Sequence, residues 1–301
     1  MPRNSIAMQS AHVTWKKETV PIKAGRLDLS SRGIETVGEI AGLESLPYLQ
    51  ELNLSNNKLH EIEGLDKLAS LRELDLGNNA ITVMRGLDSL GALRVLDLSG
   101  NHIGKIQGLD RVTDLRVLKL ARNEIEVVED LDNLSQLRIL NVSQNRIRTF
   151  AGSPKFYNLR ILDLSGNDLE TIEHLDELGL IHELDLHDNK LHVIEGLDKL
   201  IYLRELKVDA EQIPDAVARD LAQLNKLSNA ESRRFVHFYS ECPVCGKQNH
   251  DTSLAEFFFS TDPATQGLRD TLIAFMNSAK DGKPKQKVGI PCCECYEKLY
   301  G

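Results

Sequence analysis

A repeat with a fixed step of 22 residues runs through the middle of the chain, from Leu49 to Leu203. Its units begin LQELNLSNNKL, LRELDLGNNAI, LRVLDLSGNHI, LRVLKLARNEI, LRILNVSQNRI, LRILDLSGNDL and IHELDLHDNKL, and a further unit, LRELKVDAEQI, starts at Leu203. A unit of this length can bury an apolar face only against its neighbours, so the repeat predicts a solenoid.

Each unit has three parts with separate predicted roles. Residues such as Leu74 and Leu76 alternate inward on a short strand, and a spacer such as IEGLDKLASL predicts an extended turn or roughly one to two turns of 3₁₀ helix. Glycines recur at one spacer position and predict a backbone turn there, at Gly64, Gly86, Gly108 and Gly196. The asparagine after each strand can bond the backbone of neighbouring coils and form a ladder, made of Asn57, Asn79, Asn101, Asn123, Asn145, Asn167 and Asn189.

The pattern L-x-x-L-x-L-x-x-N-x-L resembles the leucine-rich repeat. The 22-residue period with its I-x-G-L-D spacer resembles the class typified by the nuclear regulatory subunit of protein phosphatase 1, over about two-thirds of the chain. The resemblance implies an α/β repeat solenoid, a horseshoe with parallel strands on its concave face. It also implies protein binding, and it makes a regulatory subunit of a protein phosphatase an alternative function.

The two ends of the array depart from the pattern, as solenoid ends that need caps do. An earlier unit begins at Leu27 with Arg32 where asparagine is expected, while Glu211 replaces the last asparagine and Pro214 follows. We expect Trp15 to pack on the first coil. The predicted segments are an N-terminal cap at 1–21, the leucine-rich repeat solenoid at 22–213, and a helical connector with a zinc-binding C-terminal domain at 214–301.

Three columns of side chains between the leucines are predicted to face the concave side. The first is Gln50, Arg72, Arg94, Arg116, Arg138, Arg160, His182 and Arg204. The second has glutamates at both ends and four consecutive apolar residues in its middle. Because an apolar patch with a charged rim suits protein recognition, we predict partner-binding residues in the second and third columns: Val95, Val117, Ile139, Ile161, Asp97, Lys119, Asp163 and Asp185.

A purely structural interpretation of these columns is also open. The arginines would pair with neighbouring carboxylates, and the β-branched residues would simply suit strands. The net negative charge of the repeats indicates the kind of partner. Residues 49–213 hold 19 basic and 29 acidic side chains, so a protein with a complementary basic surface is expected. The net charge of −9 disfavours general binding to nucleic-acid phosphates.

Two C-x₂-C pairs lie in the C-terminal region, within CPVCG and GIPCCECY. Four thiolates are the ligand set of a structural tetrahedral zinc site, so we predict one Zn²⁺ bound by Cys242, Cys245, Cys292 and Cys295. Cys293 could replace Cys292, and His250 is an alternative ligand. A thiol–disulfide redox site and plain buried cysteines are the other interpretations.

The rest of this region predicts a small α+β, zinc-ribbon-like module. Apolar spacing at Val217, Leu221, Leu224 and Leu227 predicts one or two connector helices within 215–240, EFFFS predicts a strand, and GLRDTLIAFMNSAK a helix. No Gly/Ser-rich linker separates the connector from the repeats, so the module is expected to cap the open end of the solenoid.

The most favoured function is a non-catalytic protein-interaction scaffold or regulator. The sequence contains no P-loop, nucleotide-binding glycine fingerprint or HExxH motif, and Asp185, His187 and Asp188 are the weak candidates for a hydrolytic site. The alternative of another class is a redox-active or nucleic-acid-binding zinc protein that the repeats target. No apolar run approaches the roughly 20 residues of a membrane span and no secretion signal is evident, so an intracellular, cytoplasmic location with no membrane partner is expected.

Overall fold

The computed structural model describes residues 12–150, 156–191, 193–194, 200 and 202–209, and the backbone of two further strands at 235–241 and 248–251. The four cysteines of the predicted zinc site, Cys293, most of the connector and the predicted EFFFS strand lie outside these residues, while the alternative ligand His250 is described by its backbone alone. The domain boundaries expected from the sequence stay predictions.

Short strands are the regular element of the described chain. They are β1 (His12–Trp15), β2 (Glu18–Pro21), β3 (Arg26–Asp28), β4 (Glu51–Asn53), β5 (Glu73–Asp75), β6 (Val95–Asp97), β7 (Val117–Lys119), β8 (Ile139–Asn141), β9 (Thr149–Phe150), β10 (Ile161–Asp163), β11 (Thr171–Ile172), β12 (Glu183–Asp185), β13 (Val193–Ile194), β14 (Glu205–Asp209), β15 (Phe235–Glu241) and β16 (Gln248–Asp251). Three 3₁₀ segments accompany them, at Val37–Glu39, Leu43–Ser45 and Leu175–Glu177.

One strand per repeat builds the main sheet. Among the described residues this sheet holds 11 strands, in which β3 to β8, β10, β12, β14 and β15 follow chain order in parallel and β16 is antiparallel. The register joins equivalent residues of successive repeats, for example Leu74 with Leu96 and Leu96 with Leu118. Because the register never slips, each repeat position becomes a straight column, as the sequence predicts. A smaller parallel sheet of β9, β11 and β13 lies in the spacers of three repeats.

The core is a stack of leucines and isoleucines from every repeat. Leu74 is 1% exposed, and Leu76, Ile81 and Leu87 are 0% exposed. Burying each such side chain contributes roughly 1.5–3 kcal/mol. The inward alternation predicted for Leu74 and Leu76 is confirmed.

The predicted asparagine ladder is confirmed. Asn101 donates through Nδ2 to the carbonyl oxygens of Leu76 (3.1 Å) and Leu98 (2.9 Å), and its Oδ1 accepts the N–H of Ile81 (3.0 Å). The same three kinds of bond recur at Asn79, Asn123, Asn145, Asn167 and Asn189, and Asn57 makes a similar set. Each amide therefore joins two coils through backbone groups that would otherwise be buried without partners.

The spacers form turns, as their length predicts. Gly86 (φ +81°) and Gly108 (φ +71°) have left-handed backbone, and a Cβ there would lie 2.1 Å from the Ile62 oxygen and 2.4 Å from the Met84 oxygen. The predicted turn is confirmed at these positions and at Gly64, whereas Gly196 lies outside the described residues.

The N-terminal hairpin of β1 and β2 packs on the first coil. Val13 is 0% exposed, and the backbones of Thr14 and Ala41 exchange two hydrogen bonds of 3.0 and 2.9 Å. Trp15, which the sequence predicts to pack on the first coil, is partly buried and does pack against the core, with its indole N–H 3.3 Å from Glu39. Val13 takes the deeper position because it points inward from the middle of the hairpin.

The last repeat strand, β14, pairs in parallel with β15. The connector predicted from the sequence extends helix to Ser240, and this is wrong for residues 235–240, which belong to the strand Phe235–Glu241. The helical spacing ends at Leu227, and the FVHFY that follows is rich in aromatic and β-branched residues, which favour strands. The edge of β14 is thus covered by the chain that follows the repeats, while the role of zinc in that cover stays a prediction.

Candidate functional site

The candidate site is the strand face, the side of the main sheet that carries the first and third residues of each strand. It corresponds to the concave side expected from the sequence. Val95, Val117, Ile139 and Ile161 are register partners in four adjacent strands and form an unbroken apolar stripe. All four are partly exposed. Strands lie about 4.8 Å apart, so the stripe extends over roughly 14 Å between its first and last Cα atoms.

Side chains at the third strand position have partners inside the molecule, and we name the Asp and Asn residues at this position the turn column. In Asp97 and Asp163, Oδ1 accepts the N–H of the residue two positions on, Ser99 at 3.0 Å and Ser165 at 3.1 Å. The Ser165 hydroxyl adds a bond of 2.6 Å to Asp163. This side-chain turn fixes the point at which the chain leaves the strand. The turn column comprises Asp28, Asn53, Asp75, Asp97, Asn141, Asp163 and Asp185.

Neighbouring rungs add further partners to the turn column. Lys119 lies 3.3 Å from Asp97, Lys207 lies 3.3 Å from Asp185, and the Asn141 amide donates to the second oxygen of Asp163 at 2.9 Å. The structure therefore places Asp97, Lys119, Asp163 and Asp185 on the strand face, but with intramolecular partners. Their contribution to partner binding stays a prediction.

The position just before each strand carries the arginine column, defined as Arg72, Arg94, Arg116, Arg138 and Arg160. Its backbone is a ladder in which each arginine N–H donates to the preceding column carbonyl, as in Arg116 to Arg94 at 2.8 Å. Arg72, Arg116 and Arg138 are exposed, and the other two are partly buried.

Within the part of the chain that the structure describes, no carboxylate forms an ion pair with any arginine of this column. The structural interpretation that they pair with neighbouring carboxylates is wrong for these residues. At the rungs from Arg94 to Arg160 the adjacent column is apolar, and the turn-column carboxylates are already engaged. Arg26 does pair with Glu51 at 2.8 Å, but Arg26 is the register partner of this glutamate and lies outside the arginine column.

Two histidines of one repeat lie on opposite sides of the stripe, and their pKa values are shifted in opposite directions. His182 continues the arginine column, with Nε2 3.2 Å from Nη1 of Arg160. Burial lowers the pKa of His182, and the charges of Arg204 and Arg160 lower it further. His187 lies beside the turn column and contacts Asp185. Burial lowers the pKa of His187, but the bond to Asp185 and the surrounding carboxylate charges outweigh it, so its pKa is raised.

Asp209, a carboxylate near His187, forms hydrogen bonds within the last described repeats. Asp209 accepts the backbone N–H of Asp188 at 2.7 Å. At the equivalent position of the preceding repeat, the backbone N–H of Gly166 donates to the His187 carbonyl at 2.9 Å. Burial raises the pKa of Asp209. Among the described residues, no group of three or more His, Cys, Asp or Glu is arranged to hold a metal ion. The same residues include no helix that is both long enough and apolar enough to cross a bilayer.

Comparisons with known proteins agree with the repeat geometry. A family described as "Leucine-rich repeat region" matches residues 76–277, about two-thirds of the chain, and "Leucine Rich repeats (2 copies)" matches residues 47–89. The structure is similar to an internalin C2 from Listeria monocytogenes, with a TM-score of 0.54 and 25% identity over 60% of this chain and 78% of that one. No curated protein matches the sequence.

A second solved structure is similar in fold. It is a leucine-rich repeat protein from Leptospira interrogans, with a TM-score of 0.60 and 24% identity over 68% of this chain. The matched region spans 53% of the Leptospira chain, about half of its length.

Proposed function

The chain belongs to the leucine-rich repeat proteins, and on that premise we propose that it is a non-catalytic scaffold or regulator that binds a partner protein through the strand face. The observation that carries the proposal is the apolar stripe of Val95, Val117, Ile139 and Ile161, which lies partly exposed between two polar columns. Continuous apolar surface with a polar rim is the composition of the central part of protein interfaces.

The chemistry of the surrounding side chains supports a non-catalytic role. The turn-column carboxylates accept bonds from their own turns, and His187 is held by Asp185, so these groups are committed to the fold. The net charge of −9 over the whole chain predicts long-range steering of partners with a basic surface.

The test of this proposal is capture of the partner by the full-length protein from an extract of its source cell, with identification by mass spectrometry. The double variant Val117→Glu with Ile139→Glu should abolish capture and leave thermal stability nearly unchanged, because both side chains are at the surface of the sheet. The matched control is Val83→Glu with Val127→Glu, which places the same charges at valines that are 37% and 49% exposed and lie off the strand face. Equal capture by both double variants would exclude the stripe as the binding surface.

We further propose one structural zinc ion in the C-terminal region, held by Cys242, Cys245, Cys292 and Cys295. The donor set fits this metal, since four thiolates in two C-x₂-C pairs match its tetrahedral preference. Zinc bound in this way supplies a cross-link between the two pairs and contributes on the order of 10 kcal/mol to folding of a small domain. Reduced thiolates of this kind suit an intracellular location.

Metal analysis tests the zinc proposal on the full chain purified without chelator. About one zinc per chain is expected, Cys295→Ser should lose it, and the matched Cys293→Ser should keep it. A metal content near zero, with thiols that react freely in the folded protein, would support the redox alternative instead.

A further inference from the structure

The arginine column concentrates positive charge on one side of the strand face. Five guanidinium groups occupy successive rungs about 4.8 Å apart, and among the described residues none has a carboxylate within ion-pair distance. The Nε of Arg94 is buried and has no hydrogen-bond partner in the same set of residues. Like charges at this spacing repel one another, so the charges of the column do not stabilise one another.

The column runs directly beside the apolar stripe. Arg94 precedes Val95, Arg116 precedes Val117, and the same order holds at the next two rungs. Four adjacent rungs therefore present a cationic row and an apolar row in parallel, both running from coil to coil along the solenoid. A ligand that matches both rows must carry an acidic row beside an apolar row at a similar spacing.

The spacing distinguishes between forms of peptide ligand. In an α-helix, side chains on one face recur after three or four residues, which is about 4.5 or 6.0 Å along the axis. In an extended strand they recur after two residues, about 6.6–6.8 Å. The rung spacing of about 4.8 Å is close to one helical turn, whereas an extended chain falls out of step within two rungs.

We infer that the strand face binds an amphipathic helical segment of the partner protein, with Asp or Glu side chains against the arginine column and apolar side chains against the stripe. This inference rests on the proposed function and specifies the chemistry of the partner. Arginine suits the role because its planar guanidinium bonds a carboxylate in bidentate fashion, and an amphipathic helix in a groove is a common mode of recognition. A stripe of Val and Ile beside the arginines suits apolar side chains better than sugar and phosphate.

The test uses a synthetic helical peptide of about 14 residues, four turns, with one row of Glu beside one row of Leu. Three probes accompany it: a peptide of the same composition with Glu and Leu alternating, a peptide with Lys in place of Glu, and a single-stranded oligonucleotide. Affinity is measured by fluorescence anisotropy on the full-length chain. The acidic helical peptide should bind more tightly than each of the other three.

Charge reversal in the column should weaken this binding selectively. Arg116→Glu with Arg138→Glu should raise the Kd of the acidic helical peptide at least about tenfold, and Arg116→Gln with Arg138→Gln should raise it several-fold. The Gln variant decides the matter if charge reversal impairs folding. The matched control is Arg111→Glu with Arg148→Glu, which makes the same charge change at exposed arginines outside the column and should alter Kd less than about twofold.

A spectroscopic readout separates a local contact from a general charge effect. Carboxylates bound along the column should raise the NMR-determined pKa of His182, next to Arg160, and leave that of His187 nearly unchanged.

The inference is overturned if the control variant loses as much affinity as the column variant, or if the Lys or alternating peptide binds equally well. Tighter binding of the oligonucleotide would instead assign the column to nucleic acid. Loss of partner capture in the stripe variant but not in the column variant would leave the proposed function intact and reject this inference alone.

Discussion

The two sides of the strand face use charge in opposite ways. On one side, the turn-column carboxylates of Asp97 and Asp163 accept hydrogen bonds from their own turns and hold the chain where each strand ends. On the other side, the arginine column has no carboxylate partner among the described residues, and Arg160 contacts the His182 ring instead. Composition alone therefore does not assign the role of a charged column in a repeat, because one column hydrogen-bonds its own turns and the other has no carboxylate partner among the described residues.

The turn column and the arginine column should differ most in their contribution to the unfolding free energy. Asp163→Ala removes the acceptor of the Ser165 N–H and hydroxyl and of the Asn141 amide, so it should cost about 1–3 kcal/mol of unfolding free energy. Arg138→Ala should change the unfolding free energy by less than about 0.5 kcal/mol, since the side chain is exposed and has no ion pair among the described residues. Urea denaturation of both variants measures the difference.

The repeat itself supplies a control for the turn column. Asn141 occupies the same position as Asp163 and bonds Ser143 in the same way, so Asp163→Asn should recover most of the stability that alanine loses. If Asp163→Ala is no less stable than Arg138→Ala, the turn column is not structural and the comparison fails.

A smaller effect should appear in the titration of the two histidines. NMR should find the pKa of His182 below the ordinary value of 6.5 and that of His187 above it. A raised folded-state pKa favours stability at low pH, so the part due to His187 should be present below its unfolded pKa and disappear as pH rises through its folded pKa. The lowered pKa of His182 has the opposite effect on stability. The contribution of His182 should be present above pH 6.5 and disappear as pH falls through its lowered folded-state pKa.

Single variants separate these two contributions. His187→Asn should make the decline in stability above about pH 6.5 smaller, and His182→Asn should make the decline below this pH smaller. Thermal melting across a pH series measures both. Identical pKa values for the two histidines would show that the electrostatic contrast between the two sides of the stripe does not exist.

Much of the fold could be predicted from the repeat alone, since the fixed step forces equivalent residues into register. The buried leucines, the asparagine ladder of Asn79 to Asn189 and the turn at Gly86 all follow from that step. The strand Phe235–Glu241 did not follow, because it lies beyond the last repeat, so the fixed step does not specify its pairing with β14.

The candidate site was only partly predictable. The stripe could be found because column position follows from the repeat. Whether the charged side chains form ion pairs could not be predicted, because ion pairing depends on side-chain distances between neighbouring strands. A local signal for the turn column was present: Asp or Asn stands two residues before Ser or Gly in several repeats, as in DLSG at 97–100, which is typical of a side-chain turn.

The most direct test of partner binding by the strand face is methyl NMR of the isotope-labelled full-length chain with the captured partner added. Methyl signals of Val95, Val117, Ile139 and Ile161 should shift or broaden on binding, while those of the exposed Val83 and Val127 should stay in place. Perturbation of Val83 and Val127 with an unchanged stripe would contradict the account and place the partner on the other side of the solenoid.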